Sequence, residues 1–92
     1  MAKTYHYVPF GSFPMEDNHV EIMITMPDSE GNGTLYAEKP DATYGFKTAK
    51  LSYPKLFVTN AEGFTTEELT YLTKLIGNNL DIVLERLGKV DA

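Results

Sequence analysis

One stretch constrains this chain more than any other. Phe64 to Gly88, near the C-terminus, has the residue spacing of a single long amphipathic helix. Its apolar positions are Leu69, Leu72, Ile76, Leu80, Val83, Leu87 and Val90, always three or four residues apart. That spacing puts them on one helical face, within about 40° either side of Ile76 on a helical wheel. Glu67, Lys74, Asp81 and Glu85 lie opposite and are expected to face water. Thr65 is the expected N-cap, because its hydroxyl can accept from free N–H groups of the first turn. Glu68, three residues on, completes a capping box, and Phe64 with Leu69 is placed for a hydrophobic staple. Glu67 and Glu68 suit the positive end of the helix dipole, and Arg86 and Lys89 the negative end. Gly88 is the expected closing residue, able to take a left-handed conformation.

Gly77-Asn78-Asn79 is the weak point inside this segment, since glycine costs about 1 kcal/mol against alanine in a helix interior. Leu69, Leu72 and Ile76 nevertheless stay in phase with Leu80, Val83 and Leu87 across it. A break would have no reason to preserve phase, so one helix is expected rather than two.

A second ridge, Tyr71, Leu75 and Ile82, lies about 100–140° to one side of the main stripe. It either widens the core-facing surface or meets a partner. A helix of this length spans about 35 Å, whereas a chain of 92 residues folds to a diameter of about 32 Å. The C-terminal turns are therefore expected to overhang the core and to need a cover. Tyr71, Leu75, Ile82 and Leu84 are the candidate partner-binding residues, and a second copy of the chain or a different protein is the expected cover.

Before the helix the chain reads as strands. Tyr5 to Val8 is a short candidate strand stopped by Pro9, followed by a loop from Phe10 to Pro14 whose two rings are expected to pin it to the core. His19 to Met26 alternates apolar and polar residues, with Val20, Ile22, Ile24 and Met26 on one side, the pattern of a half-buried strand. Asp28 to Gly33 is a turn with two glycines available for positive φ. Thr34 to Glu38 is the returning strand, broken at Pro40-Asp41. Thr43 to Leu51 is a third strand, with Tyr44 and Phe46 on one face and Gly45 at a bulge. Lys55 to Thr59 is the last strand, and Asn60 to Gly63 turns into the helix. Strands first and one helix last predict a single α+β domain over residues 1–92. Its architecture is a small antiparallel meander of three to five strands with the long C-terminal helix packed across one face.

No motif for chemistry stands out. With no cysteine, there is neither a disulfide framework nor a thiol nucleophile, and no phosphate-binding glycine loop or serine elbow occurs. Asp17, His19 and Glu21 share one strand face and could ligate a cation, but an exposed polar face accounts for them more simply. Asp28 to Gly33 imitates the start of a calcium loop and fails at the twelfth position, which is Lys39 in place of the bidentate glutamate. His6 reads as a packed or surface residue. Lys47, Lys50 and Lys55 near Tyr53 make only a small basic and aromatic patch. No catalytic, cofactor-binding or metal-binding residue is assigned, and no enzyme activity or cofactor is expected.

The net charge is −5, and the two halves share it unequally. Residues 1–46 hold two lysines and seven acidic residues, and residues 47–92 hold six basic and six acidic residues, so the imbalance belongs to the first half. Direct binding to a phosphate backbone needs a basic surface and is not expected. An acidic face attracts a basic protein surface instead. No apolar run approaches the length of a membrane span, and Met1 to Tyr7 lacks the apolar core of a signal peptide, so a cytoplasmic location is expected. The function these features predict is a non-enzymatic protein-interaction module, as a homodimer or with another protein. In size and charge the chain resembles small phage-type inhibitors of host defence enzymes. That resemblance implies an acidic face competing for the basic cleft of a nucleic-acid-handling partner. The alternative is a structural or assembly subunit of a larger complex or virion.

Overall fold

A computed structural model describes the protein over residues 7–15, 18–43 and 45–91. Five strands, β1 (Tyr7–Met15), β2 (Asn18–Thr25), β3 (Gly33–Asp41), β4 (Gly45–Tyr53) and β5 (Phe57–Glu62), precede one helix, α1 (Thr66–Asp91). The strands form one antiparallel sheet in the order β1-β2-β3-β4-β5, each paired with its neighbour in sequence. The fold is α+β, an open meander with α1 across one face.

Alternation builds the dry face. Val20, Ile22 and Ile24 of β2, Leu35 and Ala37 of β3, and Ala49, Leu51 and Tyr53 of β4 are all buried. Leu72, Ile76, Leu80 and Val83 of α1 join the same core cluster, with Leu69, Leu75 and Leu84 packed at its margin. The side chains of Leu87, Lys89 and Val90 lie outside the described ones. The helix is continuous through Gly77 and does not close at Gly88, running on to Asp91. Its 26 residues span about 39 Å, close to the molecule's longest extent of 41 Å.

The helix entry is built as its sequence implies. The Thr65 N–H donates to Glu68 Oε1 at 2.8 Å, and the Glu68 N–H donates back to Thr65 Oγ1 at 3.1 Å. Two N–H groups that a helix start leaves unpaired are thereby satisfied. Phe64, just before the cap, is buried.

Several strand boundaries differ from expectation, each for a physical reason. β1 does not stop at Pro9 and runs to Met15; the proposed start at Tyr5-His6 lies outside the described residues. Because β1 is an edge strand, a proline that cannot donate to a ladder is tolerated there. The register slips between Pro9 and Gly11, and the extra residue, Phe10, turns into the core, a common use of a bulge. β3 likewise passes through Pro40 to Asp41. Its pairing with β2 extends only from Glu21↔Glu38 to Ile24↔Leu35, so at Pro40 one side of β3 has no ladder to interrupt. Asn60, Ala61 and Glu62 belong to β5 and not to a turn. A second register slip, between Lys50 and Leu51, leaves Thr59 as the extra residue of β5.

The turn at Asp28 uses one glycine for positive φ, Gly31 at φ 84. Asp28 Oδ1 accepts from the N–H groups of Glu30 and Asn32 at 2.8 and 3.0 Å, the bonding of an Asx turn. Gly33 serves a different need, since a Cβ there would run into the Tyr53 ring. That ring is buried and donates its hydroxyl to the Thr25 carbonyl. Gly45 is not at a bulge; it opens β4 at φ 80, in register with Asp41.

Candidate functional site

The residues singled out on the helix are divided by the fold. Leu75 and Leu84 pack at the edge of the core. Tyr71 is 43% exposed, and its hydroxyl donates to the Pro14 carbonyl at 3.1 Å. The side chain thus ties α1 to the end of β1 and, with Pro14, Met15 and Glu68, lines a cleft of about 290 Å³. Ile82, at 53% exposure, is the member of the group left most open to solvent.

The lysines read as one patch are separated. Lys47 faces the helix side, Lys50 sits on the opposite face across from Tyr36, Lys55 lies in the β4–β5 turn, and Tyr53 is buried. Strand alternation sends Lys47 and Lys50 to opposite faces, so no basic patch forms from them. Lys47 instead joins a charged cluster beneath the helix start. Its Nζ stands 3.3 Å from Glu68 Oε1 and 3.8 Å from Asp41 Oδ1. Lys39, its cross-strand neighbour, is only 3% exposed. Sequence reading missed this cluster, because nothing local marks Lys39 as an inward position except its phase with Leu35 and Ala37. Burial works to raise the Glu68 pKa. The Thr65 N–H and the Lys47 ammonium outweigh it and hold the carboxyl below its ordinary range.

Asp17 of the proposed Asp17–His19–Glu21 group lies outside the described residues, as do Glu16 and Tyr44. His19 and Glu21 are exposed on β2, and among the described residues no cluster of three metal-ligating side chains occurs.

What sequence reading did not assemble is the face of the sheet away from the helix. Pairing brings Glu21 of β2 opposite Glu38 of β3, and Met23 opposite Tyr36. Pro40 stands opposite Phe46 on β4. Together these six residues line a concavity of about 390 Å³. Phe46 is 54% exposed, as is Phe57 at the start of β5. The rank containing Glu38 continues through Thr48 to Glu62 on β5. Tyr7 adds a ring next to Tyr36, with centroids 6.2 Å apart. Partial burial, and then the charge of Glu38, push the Tyr36 phenol above its ordinary pKa. Among the described residues, the surface therefore combines aromatic and thioether contact area with carboxylates and offers neither a nucleophile–base pair nor a phosphate cradle.

No helix among the described residues is long and apolar enough to cross a membrane. No family model, curated protein or solved structure matches this chain.

Proposed function

We propose that the chain is a non-enzymatic protein-interaction module whose working surface is the outer face of the sheet, the face away from α1. The observation that carries this reading is the exposure of two large aromatic rings, Phe46 and Phe57, at 54% each on a face that no element among the described residues covers. Exposed aromatic area beside carboxylates suits a protein interface, where aromatic residues concentrate binding energy. The acidic balance of the first half of the sequence favours a basic partner surface. An inhibitor that occupies the basic cleft of a nucleic-acid-handling protein is one form such a module takes.

Ile82 supports a second surface, on the helix, through which a copy of the same chain could associate. Parallel capture from one cell extract separates the two. Phe46→Ser and Phe57→Ser, each verified as folded by circular dichroism, should lose a protein that wild type and Ile82→Glu both retain. Loss with Ile82→Glu alone would move the working surface to the helix. Sedimentation velocity without extract tests self-association, and an open series of large species would favour the assembly-subunit reading.

A further inference from the structure

The outer groove has a floor and a rim of different chemistry. Met23, Tyr36, Pro40 and Phe46 supply hydrocarbon and ring surface, and Glu21 and Glu38 supply carboxylates. The two glutamates are direct cross-strand partners, a placement in which like charges work against the sheet. Glu21 is also held in place, because the Ser12 hydroxyl donates to its Oε1 at 3.0 Å. Lys50, opposite Tyr36, is the one lysine or arginine that strand alternation puts on this face among the described residues.

These features select among occupants. A phosphate backbone or an anionic lipid surface would be repelled by Glu21, Glu38 and Glu62. A neutral apolar peptide would desolvate the glutamate pair without compensation. A long aliphatic stem ending in a cation satisfies both parts, since it covers apolar surface along its length and keeps its charge at the tip. Arginine fits better than lysine, because its planar guanidinium both stacks on aromatic rings and bridges carboxylates with fixed N–H donors. Resting on the reading of the outer face as the working surface, we infer that the groove docks an arginine-bearing segment of a protein partner. The guanidinium sits between Glu21 and Glu38, and the stem lies on Met23, Tyr36 and Phe46.

Titration of the ¹⁵N-labelled full chain with capped Gly-Arg-Leu-Arg-Gly, followed by NMR, tests this directly. The peptide should shift the amides of Glu21, Met23, Tyr36, Glu38 and Phe46. The lysine counterpart should bind several-fold more weakly, and the glutamate counterpart should shift none of them. A double variant, Glu21→Gln with Glu38→Gln, should weaken the arginine peptide at least tenfold, whereas Glu67→Gln on the helix should leave it unchanged. Shifts spread equally over Asp28, Glu30, Glu67 and Asp81 would reduce the effect to counter-ion attraction and overturn the inference. So would undiminished binding by the double variant. The peptide titration judges the arginine chemistry, and the Phe46→Ser capture judges the outer face itself, so either can fail while the other stands.

Discussion

The face of the sheet under α1 carries Val20, Ile22, Ile24, Leu35 and Leu51, whereas the opposite face presents Glu21, Met23, Tyr36, Glu38 and Phe46 from alternate positions of the same central strands. One alternation produces both sets, yet they answer to different requirements. The inner set fills space against Leu72 and Ile76 and holds little that the fold could lose. The outer set contains a like-charge pair and half-exposed rings, choices that sheet stability does not explain. Where the two faces of one strand diverge in this way, the residues the fold does not need are the ones to examine for function.

The contrast can be broken most decisively on the inner face. Ile24→Ala removes a fully buried side chain and should cost about 2–5 kcal/mol, read as a lower midpoint in urea. A loss below about 1 kcal/mol would mean that the helix does not pack on β2 as described. Next in size is Gly33→Ala. The added methyl meets the buried Tyr53 ring, and overpacking of this kind costs about 1–3 kcal/mol, measurable in the same experiment.

Glu68→Gln probes the join between the helix and the inner face and should cost about 1 kcal/mol near neutral pH. Here the sign of the pH dependence is fixed. A carboxyl whose folded pKa is lowered binds protons more readily when unfolded. Its stabilisation is therefore complete above the unfolded value and is lost as pH falls through the lowered folded value. Thermal melts from pH 7 down to pH 2 should show a shallower acid limb for the variant than for wild type. The smallest effect belongs to the outer face. Glu38→Gln should leave the protein unchanged or stabilise it by about 0.5 kcal/mol or less, because it relieves repulsion by Glu21. A clear destabilisation would show that Glu38 supports the fold after all, and the contrast between faces would weaken.

The legible parts of the fold were those whose signal is local. The period of two in β2 and the unbroken three-and-four spacing of α1 gave both elements, and Thr65 with Glu68 located the helix start. The prolines misled, because their effect depends on the neighbour. At Pro9 the strand lies on an edge, and at Pro40 the β2 ladder has already ended. Neither circumstance is written next to the proline. The outer groove was illegible for a related reason. Glu21 and Glu38 are remote in sequence and meet only through strand register, which the turn at Asp28 sets. On the helix, a wheel separates the Tyr71–Leu75–Ile82 ridge from the main stripe. It does not reveal that Tyr71 reaches the Pro14 carbonyl or that Leu75 meets the core margin.

The bulged rims of the sheet bear on how this protein behaves at high concentration. A sheet open at both ends can add strands from other molecules and grow into insoluble ribbons. β1 carries Pro9, Pro14 and a kink at Phe10, and β5 is six residues long and interrupted at Thr59. Among the described residues, neither rim offers a long straight row of main-chain donors and acceptors to copy. A chain that leaves aromatic rings exposed in its middle can therefore remain dispersed, since stacking through the rings is not reinforced by zippering along the sides.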